Sequence, residues 1–235
     1  MELRLTARRG ENVLVTIIIP VVVLLFISTV AVVSTGAARS VDFLLPGALA
    51  LAVIATSLVN LGIATAYERN YGVLKRLGGS PLTRGGLMAA KMGTVLVVEI
   101  AQVVLLVTIA VGVLGWSAGP GASAAVFVMA LLLGTAAFAG LGLLLAGALR
   151  AEATLALANG LFIAFLLLGG IVIPVSALPE PLAAVASWLP AAALADAFRI
   201  ALGSGVGDDL ARSLAILAVW AVVTVGLAVR TFRWE

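Results

Sequence analysis

Glu99 is the one carboxylate set well inside a long apolar run, eight residues past Lys91 and three before Gln102. On a helix, Gln102 lies one turn from Glu99 on the same face, and Lys91 lies about two turns back. A carboxylate at membrane depth is costly and marks a functional position by default. Glu99 could hold a cationic substrate, relay protons, or lock helices together by hydrogen bonds. If it sits nearer an interface, it could simply pair with a basic residue or a backbone group. A structural or gating role is favoured over substrate binding. Thr56, Asn60 and Asn159 are milder polar residues of the kind that hydrogen-bond helix to helix.

A second concentration of chemistry is the insert 67–91, YERNYGVLKRLGGSPLTRGGLMAAK. It carries Glu68 and five of the fourteen basic residues, Arg69, Lys75, Arg76, Arg84 and Lys91. Residues 68–77 can form a short helix, with Val73, Leu74 and Leu77 as its apolar stripe. Gly78 and Gly79 would stop that helix. Ser80 as N-cap and Pro81 at the first helical position would then start a second one, running through Leu82, Leu87 and Met88 into Lys91. The plainer reading is a helical hairpin whose charges only fix topology. A passive loop, however, needs no stop, cap and restart.

The elements that must position these residues follow from composition. The chain has 235 residues, 63% of them hydrophobic and 11% charged, with a mean hydropathy of +1.25. That excludes a soluble domain, which needs a polar skin. The apolar runs are 13–33, 44–66, 92–114, 122–149, 153–173 and 210–229, each long enough to cross a bilayer as helix. None alternates at period two, which argues against a barrel. With an inside N-terminus, eleven basic residues fall on the inside segments and three (Arg39, Arg199, Arg212) on the outside. The expectation is therefore an all-α polytopic membrane protein of one domain over 1–235, with six spans and both termini cytoplasmic. Residues 1–12 form a cytoplasmic or interfacial segment. Thr35-Gly36-Ala37 resembles a signal cleavage site, but the preceding run is too long for a signal peptide.

Cys and His are both absent, so no disulfide, no metal site of those ligands and no histidine relay is expected. The excess charge of +3 is explained by topology and does not call for nucleic acid. No internal repeat is evident, which weakens an inverted-repeat transporter architecture.

Residues 174–209 form an extracytoplasmic segment punctuated by Pro174, Pro179, Pro181 and Pro190. Helices over 182–189 and 191–203 would be about 12 and about 20 Å long, too short to cross a core of about 30 Å. They are expected to be re-entrant or interfacial, with Trp188 near the headgroups, either gating an exit path or sealing the bundle. Asp196 and Arg199 share a helix face and can pair. Gly134, Ala136, Gly140, Gly142, Ala146 and Gly147 are small residues that permit close helix packing.

The run ERNYGVLKRLGGSPLTRGGLMAAKMGTVLVVEIAQ resembles the hallmark region of type-2 ABC transporter permeases, the membrane subunits of drug and polysaccharide exporters. The matching residues are Glu68, Arg69, Gly72, Leu74, Lys75, Arg76, Leu77, Ser80, Pro81, Lys91 and Gln102. The segment GGIVIPVSALPEPLAAVASWLPAAALADAFRIALG is similar to the family's outer region. The resemblance implies a permease paired with a second permease chain, a homodimer, and with ABC-type ATPase subunits that bind ATP and Mg. The insert would then be a cytoplasmic coupling helix between spans 2 and 3. It implies export of an amphipathic or hydrophobic substrate (drug, lipid or glycan) across a bacterial inner membrane. This chain lacks the phosphate-binding loop, since neither of its two lysines, Lys75 and Lys91, has that setting. No cofactor is expected in the chain itself. The alternative is a gradient-driven secondary transporter or channel that uses Glu99.

Overall fold

The computed structural model describes residues 18–26, 39–74, 83–204 and 209–231. These residues form a bundle of helices: α1 (18–26), α2 (Ser40–Asn70), α3 (Arg84–Leu114), α4 (Ala124–Ala148), α5 (Ala151–Leu168), α6 (Glu180–Ala186), α7 (Pro190–Ala201) and α8 (Leu210–Thr231). Five of them, α2, α3, α4, α5 and α8, are long and apolar enough to cross a membrane. The pair α6 and α7 is bent by 76° and reaches that length only when taken together. The first expected span, 13–33, extends beyond the described residues on both sides of α1.

α2 is the central helix. Its most apolar window is 89% buried, against 28% for α3 and 22% for α5. Phe43, Leu45, Leu49 and Leu51 of α2 pack with Phe138 of α4, Phe165 of α5 and Phe198 of α7 in one core. Glycine lets α4 pass α2 at backbone contact. A Cβ on Gly142 would lie 2.8 Å from Leu58 O and 2.9 Å from Ser57 O, and one on Gly62 would lie 3.1 Å from Gly142 O. α8 lies along α4 in the same way, with Gly140 facing Thr224 and Val225. The Thr224 hydroxyl donates to Ala137 O at 3.0 Å. The small residues of the fourth span therefore serve packing within the chain.

Where α2 meets Gly142 it widens into a π-helical segment, Ile54–Asn60. Such segments interrupt the ordinary i→i+4 ladder and occur at functional sites more often than elsewhere. This one presents Thr56 and Ser57 to α3.

Several sequence expectations need correction. α2 does not end near Ala66 but continues through Glu68 and Arg69 to Asn70. The break comes at Gly72, whose φ of 72° is a left-handed conformation that favours glycine. α3 starts at Arg84, not Pro81. Thr83 is extended (φ −79°, ψ 157°), and its side chain accepts from Gly86 N at 3.1 Å, so Thr83 is the N-cap. The fifth span ends at Leu168 rather than 173, because the chain turns at Gly169 and Gly170, the latter with φ 64°. The short helices expected over 182–189 and 191–203 run instead over Glu180–Ala186 and Pro190–Ala201.

Candidate functional site

Three clusters of polar side chains lie along α2. At the insert end, Glu68 and Arg69 leave the last turn of α2. The Lys91 ammonium, 4% exposed, donates to Glu68 Oε2 at 2.6 Å, tying the end of α2 to the start of α3. Arg69 reaches α4, where its guanidinium donates to Gly147 O at 2.6 Å and also to Leu149 O. These carbonyls belong to the C-terminal end of α4, where a cation also meets the negative pole of the helix dipole. Leu74, fully buried just past Gly72, packs with Leu87, Met88 and Leu61. The stem of the insert is thus fastened to α2, α3 and α4 together. Glu68 and Arg69 direct their hydrogen bonds to the chain's own helices. Lys75, Arg76, Leu77, Ser80 and Pro81 lie outside the described residues, as does the side chain of Arg84.

About 12 Å along α3 from Lys91, Glu99 and Gln102 are both buried and both face α2. Glu99 Oε1 accepts from the Ser57 hydroxyl at 2.5 Å, and Oε2 accepts from the Thr135 hydroxyl of α4 at 2.5 Å. Gln102 Oε1 accepts from the Thr56 hydroxyl at 3.0 Å. Both donors from α2 come from the π-helical segment. The sequence singled out Glu99, Gln102 and Thr56 but missed Ser57 and Thr135. These are small hydroxyl residues in apolar runs, and nothing in their local spacing ties them to α3. The arrangement pins three helices at one depth. Asn159, also expected to join helices, instead donates to Leu155 O of its own helix at 2.8 Å.

At the opposite end, Arg199 of α7 is 2% exposed. It pairs with Asp196 Oδ1 at 2.8 Å, donates to Gly170 O beyond the end of α5, and lies 3.9 Å from the centroid of the Phe43 ring on α2. The expected Asp196–Arg199 pair is present, and Phe43 and Gly170 are partners the sequence did not signal. The prolines bracket the same region. Pro174 precedes a tight turn over Val175–Ala177, Pro179 caps α6 and Pro190 opens α7. Gly119 N donates to Leu202 O at 3.0 Å and Ser123 N to Ala201 O at 2.8 Å, joining the α3–α4 connection to the end of α7. Trp188, at the bend, is exposed, and its carbonyl accepts from Trp220 Nε1 at 3.0 Å.

None of the curated proteins compared with this chain matches it. The family model for the ABC-2 type transporter matches residues 1–203. With that match over most of its length, and with helices of spanning length around a polar-pinned central helix, the chain belongs to the ABC-2 type transporter family and is a multi-pass membrane transport subunit.

Proposed function

We propose that this chain is the permease of an ATP-driven exporter, working as two copies with a separate ABC-type ATPase that supplies Mg-ATP hydrolysis. The insert would face the cytoplasm, as would both termini, in a bacterial plasma membrane. The cargo would be an amphipathic or hydrophobic molecule, moved out of the cytoplasm or the inner leaflet.

The observation that carries this reading is the fastening of the insert stem. Through Glu68–Lys91 and Arg69–Gly147/Leu149, one displacement of the insert moves the ends of α2, α3 and α4 as a unit. Glu68 and Arg69 then act as anchors, and the basic face of Lys75 and Arg76 is left for the ATPase. The ATPase must grip that face differently in its two nucleotide states, since only differential contact shifts a conformational equilibrium. Movement of α2 meets the Glu99 pin at the π-helical segment, then Phe43 and the Arg199 cluster at the far end. Both oxygens of Glu99 already accept hydroxyls, which favours a lock between helices over an ion site and so favours export over the gradient-driven alternative.

The test is copurification of the chain with the ABC-type ATPase encoded beside it, followed by ATP turnover of the complex. The double variant K75E/R76E is expected to insert normally and to lose the ATPase subunit or its coupling to transport. Retention of both in the variant overturns the coupling assignment.

A further inference from the structure

Arg39, Arg199 and Arg212 stand at the end of the bundle opposite the insert, each three residues from an aspartate, and their guanidinium groups meet different fates. Arg39 pairs with Asp42 at 3.0 Å and Arg199 with Asp196 at 2.8 Å. Arg212 has Asp209 at the same spacing, but Asp209 Oδ1 accepts the backbone N–H of Arg212 at 3.1 Å and so caps α8. The exposed Arg212 guanidinium makes no ion pair or hydrogen bond among the described residues. It lies instead 5.5 Å from the centroid of the Trp188 ring, within reach of a cation–π contact.

Trp188 sits at the bend between α6 and α7. Its carbonyl is held by Trp220 Nε1, two turns beyond Arg212 on α8. Its own indole N–H, a donor only, has no partner among the described residues. Two side chains from two elements therefore meet with unused donors and no acceptor. Their surroundings are apolar. Arg212 is the third residue of α8, a helix of 22 residues and about 33 Å, so it lies at the boundary of a core of about 30 Å. Below it the same outward face continues through Val219 and Val222, both exposed. α6 exposes Leu182 and Val185, and Trp188 follows at the same three-residue spacing. That stripe suits a short helix lying in the membrane interface.

We propose that Trp188 and Arg212 bind the phosphodiester headgroup of an anionic phospholipid, which clips the α6–α7 bend to the first turn of α8. A guanidinium donates two parallel N–H bonds to phosphate oxygens, and an indole stands naturally at headgroup depth. The acyl chains then lie along Val219 and Val222 on one side and the α6 stripe on the other. A free anion has no chain to cover those side chains. A zwitterionic lipid brings an ammonium that the unpaired guanidinium repels. The occupant is therefore a lipid with net negative charge. The site faces away from the bundle and needs only the membrane, so it goes beyond the export reading and does not depend on it.

The test reconstitutes the full chain in phosphatidylcholine nanodiscs with a minor share of phosphatidylglycerol and reads tryptophan fluorescence. Brominated acyl chains, which quench nearby indoles, are placed on one lipid or the other. Quenching per brominated lipid is expected to favour phosphatidylglycerol about fivefold, the effect of one basic side chain at an anionic surface. W188F should lose that preference although three of the four tryptophans remain. R212Q should lose it too, and R212K, which keeps the charge but not the fork, should retain less than half. R39Q, at the other exposed guanidinium of this end, should leave it unchanged. These side chains are exposed, so helical content by circular dichroism is expected to stay native throughout. Equal quenching by the two lipids in the native chain overturns the site, as does a preference that survives R212Q. A loss in R39Q as large as in R212Q shows a general surface charge and also overturns it. Abolition of the preference by inorganic phosphate shows a free-anion site and overturns the lipid assignment.

Discussion

Arg69 and Arg199 perform the same chemistry at opposite ends of the bundle, in opposite surroundings. Each guanidinium reaches a backbone carbonyl at the C-terminal end of another helix, Gly147 and Leu149 for Arg69 and Gly170 for Arg199. Arg69 is half-buried, and the carboxylate beside it, Glu68, is taken by Lys91. Arg199 is buried, paired with Asp196 on its own helix and set against the Phe43 ring. A hydrated clamp exchanges protein contacts for water at little cost, whereas a dry one gives up contacts that water does not replace. In the proposed exporter, the insert end is therefore the place where a partner can pull, and the far end is the stiff closure. The pin at Glu99 lies between them in position and in character. It is fully buried, but it is held by hydroxyls that can turn back to their own helix carbonyls.

The largest effect that sharpens this contrast is expected at Arg199. R199A removes the ring contact, the ion pair and the bond to Gly170 at once, and should lower stability in detergent by about 3 kcal/mol. R199K, which keeps the charge but not the planar fork, should recover less than half of that. Thermal unfolding of the purified chain reads both, and a change for R199A no larger than that for R69A removes the distinction between dry and wet clamps.

Gly142 comes next. G142V drives a side chain into the Ser57 and Leu58 carbonyls and is expected to cost about 2 kcal/mol by overpacking. G112A, at an outward glycine whose Cβ would meet nothing within 4 Å, should be neutral or slightly stabilising. Equal unfolding temperatures for the two variants would show that α2 and α4 do not meet at backbone distance.

E99A should cost about 1 kcal/mol, the scale of polar contacts between helices in membranes, because Ser57 and Thr135 can donate to their own helices instead. E99Q keeps an acceptor for one hydroxyl and should fall between E99A and the native chain in the same measurement.

The smallest loss is expected for R69A, about 0.5–1 kcal/mol for a partly hydrated contact, and it should shrink further as salt is raised. Its functional consequence should exceed its stability cost. In the R69A complex, ATP turnover is expected to persist while transport falls. A stability loss at R69A that is large and insensitive to salt would place a dry clamp at both ends.

Much of the bundle was legible because long apolar runs have one physical outcome in lipid. The spans 44–66, 92–114, 122–149 and 210–229 differ from α2, α3, α4 and α8 mainly at their ends. The ends were misread for local reasons. Ser80-Pro81 is a strong helix-start signal, yet Thr83 is the residue that caps α3. Run 153–173 contains only apolar residues and glycine after Gly160, so hydropathy could not reveal the turn at Gly170. The polar candidates were legible one at a time. Glu99 is conspicuous as a carboxylate among aliphatic residues, and the Asp196–Arg199 pair follows from helical spacing. Partners on other helices were not legible, because a hydroxyl at position 57 or 135 carries no mark of which helix it will meet.

Sequence alone settled that the chain lives in a bilayer as helices and which side chains are too polar to be idle there. Those properties depend on residue type and local period, the terms that dominate when the solvent offers no hydrogen bonds. The tertiary structure decided who meets whom: Lys91 with Glu68, Arg69 with the end of α4, Glu99 with two hydroxyls from two helices, and Arg199 with Phe43 and Gly170. Such contacts depend on the rotation and depth of each helix, set by glycine crossings and by the widened turn of α2, where a shift of one residue would turn every partner away.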